Sequence, residues 1–395
     1  MKKVALALVL LGCCLLLGGC GGGQEIESCL FVLSLAVDPA PEGNLTVTVK
    51  ALSGTQEAAG GAQQAQNPSG ETPSTQQENT RAEQPEPGYI VMSATAPSCL
   101  RALNMLSSTT PRTVNLSQLR EIVISRTLAE TDATLSILRE IHGMYRANGE
   151  AIVVVTPDDA GDFIRRQRAI LGIRLSKYLE LLFDHFSEMD TIPPDAQLAS
   201  VISAMESDTV DALAVYAASN DFDATLVLSG GADMDRLPGH LPRTSPAENE
   251  YLGSALFSGP RMTGTLTGEE TGLLCLMMGE ARRRETFIGN ALYRTKLPTQ
   301  VRRGIDDDGT LSVSISMLLE HVAGEGQEAA AEIAARIERE AVGVLLRLRA
   351  ASCDAIGFGR IAIRRCIDIP SWEEMNWPDA YERAGVRAAA RVTVR

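Results

Sequence analysis

The sequence predicts an α+β fold of more than one domain, with mixed sheets and packed helices, and three observations carry that expectation. Strand-like and helix-like patterns alternate through both halves of the chain, as they do in mixed layered architectures. At 395 residues the chain exceeds the usual size of one domain. Hydrophobic residues make up 45% of it and aromatics 4%, so its core must be aliphatic, built from Leu, Ile, Val, Ala and Met.

The N-terminal residues set the compartment. Met1-Lys2-Lys3 is a short basic start, Val4 to Leu17 is an apolar run broken by Gly12, and Gly18-Gly19 leads to Cys20. That is the layout of an export signal, and the run is shorter than the roughly 20 apolar residues of a membrane-spanning helix. Residues 1–19 are therefore expected to be a lipoprotein signal peptide. Leu17-Gly18-Gly19-Cys20 resembles the lipobox of bacterial lipoproteins, which makes Cys20 the expected lipidation site. Leu10-Leu11-Gly12-Cys13 fits the same pattern but leaves too little apolar run before it. An ordinary secreted protein with a chance cysteine near the cleavage point is the alternative. Gly21-Gly22-Gly23-Gln24 reads as a flexible tether, and no later segment is long and apolar enough to span a bilayer. The mature chain is thus expected to be an extracytoplasmic lipoprotein.

Along that mature chain, Leu30 to Val37 reads as a buried strand and Asp38 to Asn44 as a turn. Leu45 to Leu52 alternates as its hairpin partner. From Gly54 to Gly88, Gln, Glu, Gly, Ala, Ser and Pro take over, with five Glu against Arg81. Such a stretch cannot offset its ordering entropy by burial, so 54–88 is expected to be a disordered insert. Strand-like sequence resumes at Tyr89. A helix is expected over Ala96 to Ser107, a strand over Leu119 to Ser125, and an amphipathic helix over Thr131 to Arg146. Ala151 to Val155 reads as a buried strand, Asp158-Asp159 as a helix start, and Leu175 to Phe186 as a further helix. The mixture of Asp, Gly and Pro over 216–249 reads as a linker between an N-terminal domain, 20–215, and a C-terminal one, 250–395.

In the second half, Tyr251 to Phe257 is an expected strand turned by Gly259-Pro260. Thr267-Gly-Glu-Glu270 is a capping box opening a helix. Asp308-Gly309 turns two strands, in the second of which Leu311, Val313, Ile315, Met317 and Leu319 face one way and Ser312, Ser314 and Ser316 the other. A long helix follows from about Gln327 to Ala351, with Ile333, Ile337, Ala341, Val344, Leu345 and Leu348 as its stripe and Glu332–Arg336 as an i,i+4 pair. The strand Val386 to Val394 closes the chain.

Few residues point to chemistry. The net charge of −14 argues against a nucleic-acid binder, and equally against electrostatic docking onto anionic lipid. His142, His185, His240 and His321 are isolated, with surface or structural roles as the default. Asp306-Asp307-Asp308-Gly309 lacks the spacing of a calcium loop and reads better as a turn. Asp221, Asp223, Asp233 and Asp235 could make a weak cation site or a solvated linker. Arg282-Arg283-Arg284 reads as a basic helix end, with a docking surface as its alternative. Cys29, Cys99, Cys275, Cys353 and Cys366 remain after Cys20, an odd number without CxxC spacing, and read mainly as small buried residues. No phosphate loop, dinucleotide fingerprint, GxSxG elbow or HExxH is present. No catalytic, metal or cofactor site is expected.

The order of these pieces resembles the Ger(x)C family, the lipoprotein C subunits of spore germinant receptors. The resemblance rests on Phe31-Val-Leu-Ser-Leu-Ala-Val-Asp38, on Leu119-Arg-Glu-Ile-Val-Ile-Ser125 through Leu128-Ala129, and on Ala151 to Phe163. In the second half it rests on Gly253-Ser-Ala-Leu-Phe257 with Gly264 to Leu274, on Asp354-Ala-Ile-Gly-Phe-Gly359, on Trp372 and Trp377, and on the basic strand Val386 to Arg395. Two departures stand out: Gly21-Gly22-Gly23 replaces the Trp-Asp usual after the lipid Cys, and Arg and Ala replace a Lys-rich helix. The resemblance implies two germination-protein domains in a non-enzymatic subunit, held by lipid on the outer face of the inner spore membrane. Its implied partners are the A and B membrane subunits of a nutrient germinant receptor. An extracytoplasmic solute-binding or envelope-scaffold lipoprotein is the alternative function. A lipid-anchored hydrolase lacks a nucleophile–base constellation.

Overall fold

The computed structural model describes residues 28–53, 88–220, 236–241 and 248–395, except 145, 187, 281–284, 289–290 and 325–329. Cys20, the segment 54–87, the four aspartates from Asp221 to Asp235 and Arg282–Arg284 lie outside the described residues.

The expected α+β class is observed: the strands form two sheets. In the larger, β1 (Cys29–Pro39) is paired on one side by β2 (Leu45–Leu52) and then β3 (Tyr89–Ala96), all antiparallel. On its other side β5 (Glu121–Ser125), β6 (Ile152–Thr156) and β7 (Leu213–Ser219) follow in parallel, and the short β4 (Thr113–Asn115) also pairs β1. The sheet continues antiparallel through β8 (Asn249–Ser258) and β9 (Arg261–Leu266). Two strands from the 250–395 segment thus belong to the sheet built mainly by the first half.

Helices cover both faces of this sheet, which is why its parallel strands carry near-continuous apolar runs instead of alternation. On one face lie α1 (Cys99–Ser107), α3 (Ala133–His142), reached through the single turn α2 (Arg126–Ala129), and α6 (Leu198–Met205). They bury Leu103, Leu138, Ile141 and Val201 against Leu35, Val37, Ile122 and Val153. On the other lie α4 (Ala160–Arg166) and α5 (Leu175–Phe186). Phe163 and Phe186 pack there on Ala36, Val123 and Val154.

The smaller sheet runs β10 (Glu285–Ile288), β11 (Ala291–Ile305), β12 (Leu311–Gly324), β13 (Val386–Val394), with β13 parallel to β12. One of its faces packs on α7 (Gly268–Met278) and on α8 (Ala330–Ala350), which buries Val344, Leu345 and Leu348 against Leu311, Val313 and Ile315. Short helices α9 (Gly359–Ala362), α10 (Ile369–Met375) and α11 (Trp377–Arg383) finish the domain.

Several bounds differ from expectation for local reasons. The helix expected from Ala96 starts at Cys99, because Ser98 caps it by accepting from the Arg101 amide. The helix expected to Arg146 stops at His142, and Arg146 has a positive φ of 60°. Arg336 reaches Glu340 at 2.8 Å, the i,i+4 neighbour opposite to the expected Glu332. The capping box of Thr267 and Glu270 is formed as expected.

Candidate functional site

The motif residues singled out by sequence converge on four buried polar junctions, each joining elements distant in the chain. The first is Asp38, at the end of β1. Its Oδ1 accepts from the Ala160 amide at 2.8 Å and its Oδ2 from the Gly161 amide at 3.0 Å, which satisfies the otherwise orphaned N-terminus of α4. Burial pushes the carboxyl up from its ordinary value while these two amides oppose that. Gly161 is required for the approach: a Cβ there would lie 2.8 Å from Thr48 Oγ1.

The second junction surrounds Glu121, the acidic residue of the Leu119–Ser125 strand, which is fully buried. Ser34 donates to its Oε1 at 2.7 Å, Gln167 Nε2 donates to the same oxygen, and the Tyr251 hydroxyl donates to Oε2 at 3.1 Å. Lys50, itself 2% exposed, donates to the Gln167 and Ile164 carbonyls. Desolvation raises the Glu121 pKa, opposed by the three donors and by the Lys50 charge. Tyr251 is ringed by Phe163, Phe183 and Phe186 with centroids 5.5–5.9 Å away, so no substrate reaches the carboxylate. The cluster therefore ties β1, β2, β5, β8 and the end of α4 together. Glu121→Gln is expected to lower stability by about 1–3 kcal/mol, because one acceptor becomes a donor facing other donors. A urea midpoint equal to that of the parent chain would refute this account.

The third junction is the Asp354–Gly359 loop. Asp354 Oδ1 accepts from the amides of Gly357 (3.0 Å) and Phe358 (2.9 Å), and Oδ2 from the Gly359 amide (2.7 Å) and Trp377 Nε1 (3.1 Å). Burial nevertheless pushes this carboxyl up to about 7. Asp211, just before β7, accepts from the Asp354 amide at 2.7 Å and the Gly259 amide at 3.0 Å, fastening the loop to the large sheet. Gly357 has φ +78°, and a Cβ on Gly359 would lie 2.7 Å from the Thr209 carbonyl oxygen. Trp377 stacks on Trp372 at 6.2 Å, and Tyr381 donates to the Cys353 carbonyl at 2.9 Å. The loop thus locks the two halves of the chain together.

The fourth joins β8, β9 and α7. Gly253 has φ +86° and its amide donates to the Thr191 carbonyl at 2.8 Å, while the buried Ser254 and Thr271 hydroxyls pair at 2.9 Å. These residues carried a motif in the sequence, but their partners Asp211, Gln167 and Thr191 did not. Only long-range packing brings them in.

The remaining candidates do not converge. His142 and His240 are exposed, His185 pairs with Glu188 at 3.2 Å, and His321 packs edge-on to Tyr293. Asp306 forms the expected turn, its amide donating to the Thr310 carbonyl and its carbonyl accepting from Gly309. Cys29, Cys99, Cys275 and Cys353 are buried, and burial pushes Cys99 up to about 12. Among the described residues no group of three His, Cys, Asp or Glu could hold a metal ion.

The four junctions hold the elements of the chain together, and comparison with known proteins gives its family. Residues 22–218 match the family model for the spore germination protein N-terminal domain, and residues 252–395 match the spore germination B3/GerAC-like C-terminal model. The chain belongs to the Ger(x)C family. It is a spore germination protein, a C subunit of the germinant-receptor type, from a family of receptor subunits rather than enzymes. No curated protein matches it. Among solved structures, the crystal structure of the GerBC protein is similar at 11% identity and TM-score 0.47, covering 91% of this chain and 96% of that one. Family membership associates this Ger(x)C chain with a germinant receptor complex, and through it with a membrane. Among the described residues no helix is long and apolar enough to cross one.

Proposed function

We propose that this chain is the lipid-anchored C subunit of a nutrient germinant receptor, held through Cys20 on the outer face of the inner spore membrane and assembled there with the A and B membrane subunits. The observation that carries the reading is an order: a basic start, an apolar run and a Leu17-Gly18-Gly19-Cys20 sequence that resembles a lipobox, followed two residues later by the first of two germination-protein matches. Residues 1–19 are then removed, and the domains over 20–215 and 250–395 stand outside the cytoplasm. Each buried methylene of an acyl chain contributes about 0.8 kcal/mol, and two chains hold where one is marginal, so a diacylated Cys20 anchors permanently. The buried junctions support a rigid, non-catalytic role, in which the ectodomain braces the extracytoplasmic part of the complex.

Cys20→Ala is expected to move the protein from the membrane to the soluble fraction and to abolish or severely slow germination by nutrients. Fractionation with immunoblotting, together with a nutrient germination assay, reads both. Wild-type germination from a chain that no longer sediments with membranes would sink the proposal.

A further inference from the structure

The outer face of the small sheet is basic in a chain of net charge −14. Residues opposite one another in a sheet share a face. The register aligns Arg302 with Ser314 and Ala389, Gly304 with Ser312 and Arg387, and Gln300 with Ser316 and Arg391. Lys296 aligns with Leu318, and Arg294 with Glu320. All of these lie on the face opposite Leu311, Val313 and Ile315, which α8 covers. β13 alternates along its length, and its exposed residues Arg387, Ala389, Arg391 and Thr393 belong to this uncovered face. Among the described side chains, five cationic groups therefore meet Asp306 and Glu320, with Asp308 at the turn near Arg387, and the register sets Glu285 of β10 opposite Arg294. Asp306 pairs with Arg387 at 3.1 Å, and Glu320 pairs with Lys296 at 2.6 Å and with Arg294 at 3.7 Å. Arg302 and Arg391 have no acidic partner among the described residues. Arg302, Ser312, Ser314 and Arg387, together with Asp306, line a hollow of about 220 Å³ between the strands.

We propose that this face rests on an anionic lipid surface, with phosphate headgroups meeting Arg302, Arg391 and the serine row. The composition selects this occupant over a protein. A protein interface needs a core of aromatic and large apolar anchors, whereas the part of this face around Arg302 and Arg391 offers Ser, Ala, Gly, Gln and Arg, its bulky apolar members Leu292 and Leu318 lying towards the Arg294 end. A membrane needs only charge, and each basic residue near an anionic surface multiplies partition roughly fivefold. The whole-chain charge opposes random adsorption, so a local basic face orients the molecule: this sheet toward the headgroups, the acidic remainder away. The proposal does not rest on lipidation of Cys20.

The test uses the full C20A chain, which cannot be acylated, sedimented with vesicles of phosphatidylcholine alone or with one-third phosphatidylglycerol. The expected result is binding to the anionic vesicles only, lost at about 0.5 M salt, where the Debye length is a few ångströms. Adding R302E/R391E should weaken binding at least tenfold, while R302K/R391K retains it and shows that loss of charge, not of folding, is responsible. Failure of the parent chain to bind anionic vesicles, or equal binding by R302E/R391E, overturns the proposal. So does an R302E/R391E chain that keeps its vesicle binding but loses assembly with its receptor partners, since the face would then meet an acidic protein.

Discussion

Asp354→Ala lowers the unfolding free energy by about 3–5 kcal/mol in the expected result, because four donors lose their acceptor in a site that water does not enter. The amides of Gly357, Phe358 and Gly359 and the Trp377 indole all converge on this one carboxylate. No neighbouring group replaces it, since Asp211 is already held by the Asp354 and Gly259 amides. The loss should fall on both halves of the chain, because the loop bridges them, and urea unfolding would stay a single transition shifted to lower denaturant. A shift smaller than about 1 kcal/mol would mean the loop is held by its apolar contacts alone.

The same residue makes stability depend on pH. Burial pushes Asp354 up to about 7, so the folded chain keeps a proton that the unfolded chain releases near the ordinary carboxylate value of 3.8. A group whose folded pKa is raised contributes stability that is full below the unfolded pKa and lost as pH climbs through the folded one. Stability should therefore fall between about pH 4 and pH 7 and then level off. Asp354→Asn removes the ionisation and should flatten this slope. A residual slope remains from Asp211, Asp38 and Glu121, whose pKa values burial also raises. Urea midpoints at pH 5 and pH 8 for both chains would decide the matter, and an undiminished slope in the Asn variant would assign it elsewhere.

What the sequence revealed and what it concealed divide along contact range. The alternation of Leu311 to Leu319, the helix Leu175–Phe186, the Thr267 capping box and the Asp308-Gly309 turn are all local patterns, and each is present in the structure. β7 shows no alternation of apolar and polar residues, and α6 carries Leu198, Val201, Ile202 and Met205 at helical spacing but over only 8 residues, too short a window for periodicity to distinguish a helix from a buried strand. The pairing of β8 and β9 with the large sheet is a long-range event with no local signal. Asp38, Glu121 and Asp354 were conspicuous as motif members, yet their capping and tethering roles depend on residues up to 143 positions away. The basic face was hidden for the opposite reason. Averaging charge over the whole chain pointed away from anionic lipid, and only the register of β11 against β12 and β13 gathers the arginines onto one side.

Gly253→Ala is expected to be the most damaging conservative change in the second half of the chain. Two independent effects act at that position. Its φ of +86° is strained for any residue with a Cβ, and the added carbon would lie 2.2 Å from the Leu266 carbonyl oxygen. That oxygen is backbone at the end of β9, directly before the Thr267 cap of α7, so it cannot swing away as a side chain would. Relief requires β8 and β9 to separate or α7 to shift, which would pull Thr271 from Ser254 and disturb the apolar contacts of Leu273 and Leu274. Backbone strain of about 1–3 kcal/mol and overpacking of about 1–3 kcal/mol together predict a loss near 2–6 kcal/mol. Gly264, in the same motif, supplies the control. Its φ is ordinary and a Cβ there would meet Ala351 Cβ at 3.4 Å and Leu256 Cδ1 at 3.5 Å, ordinary contacts. Gly264→Ala should therefore stay within about 1 kcal/mol of the parent. Thermal melts of the two variants, which differ only in where one methyl group is placed, distinguish a glycine required by backbone geometry from one that is merely present. Equal melting temperatures would remove Gly253 from the residues that hold β8 to α7.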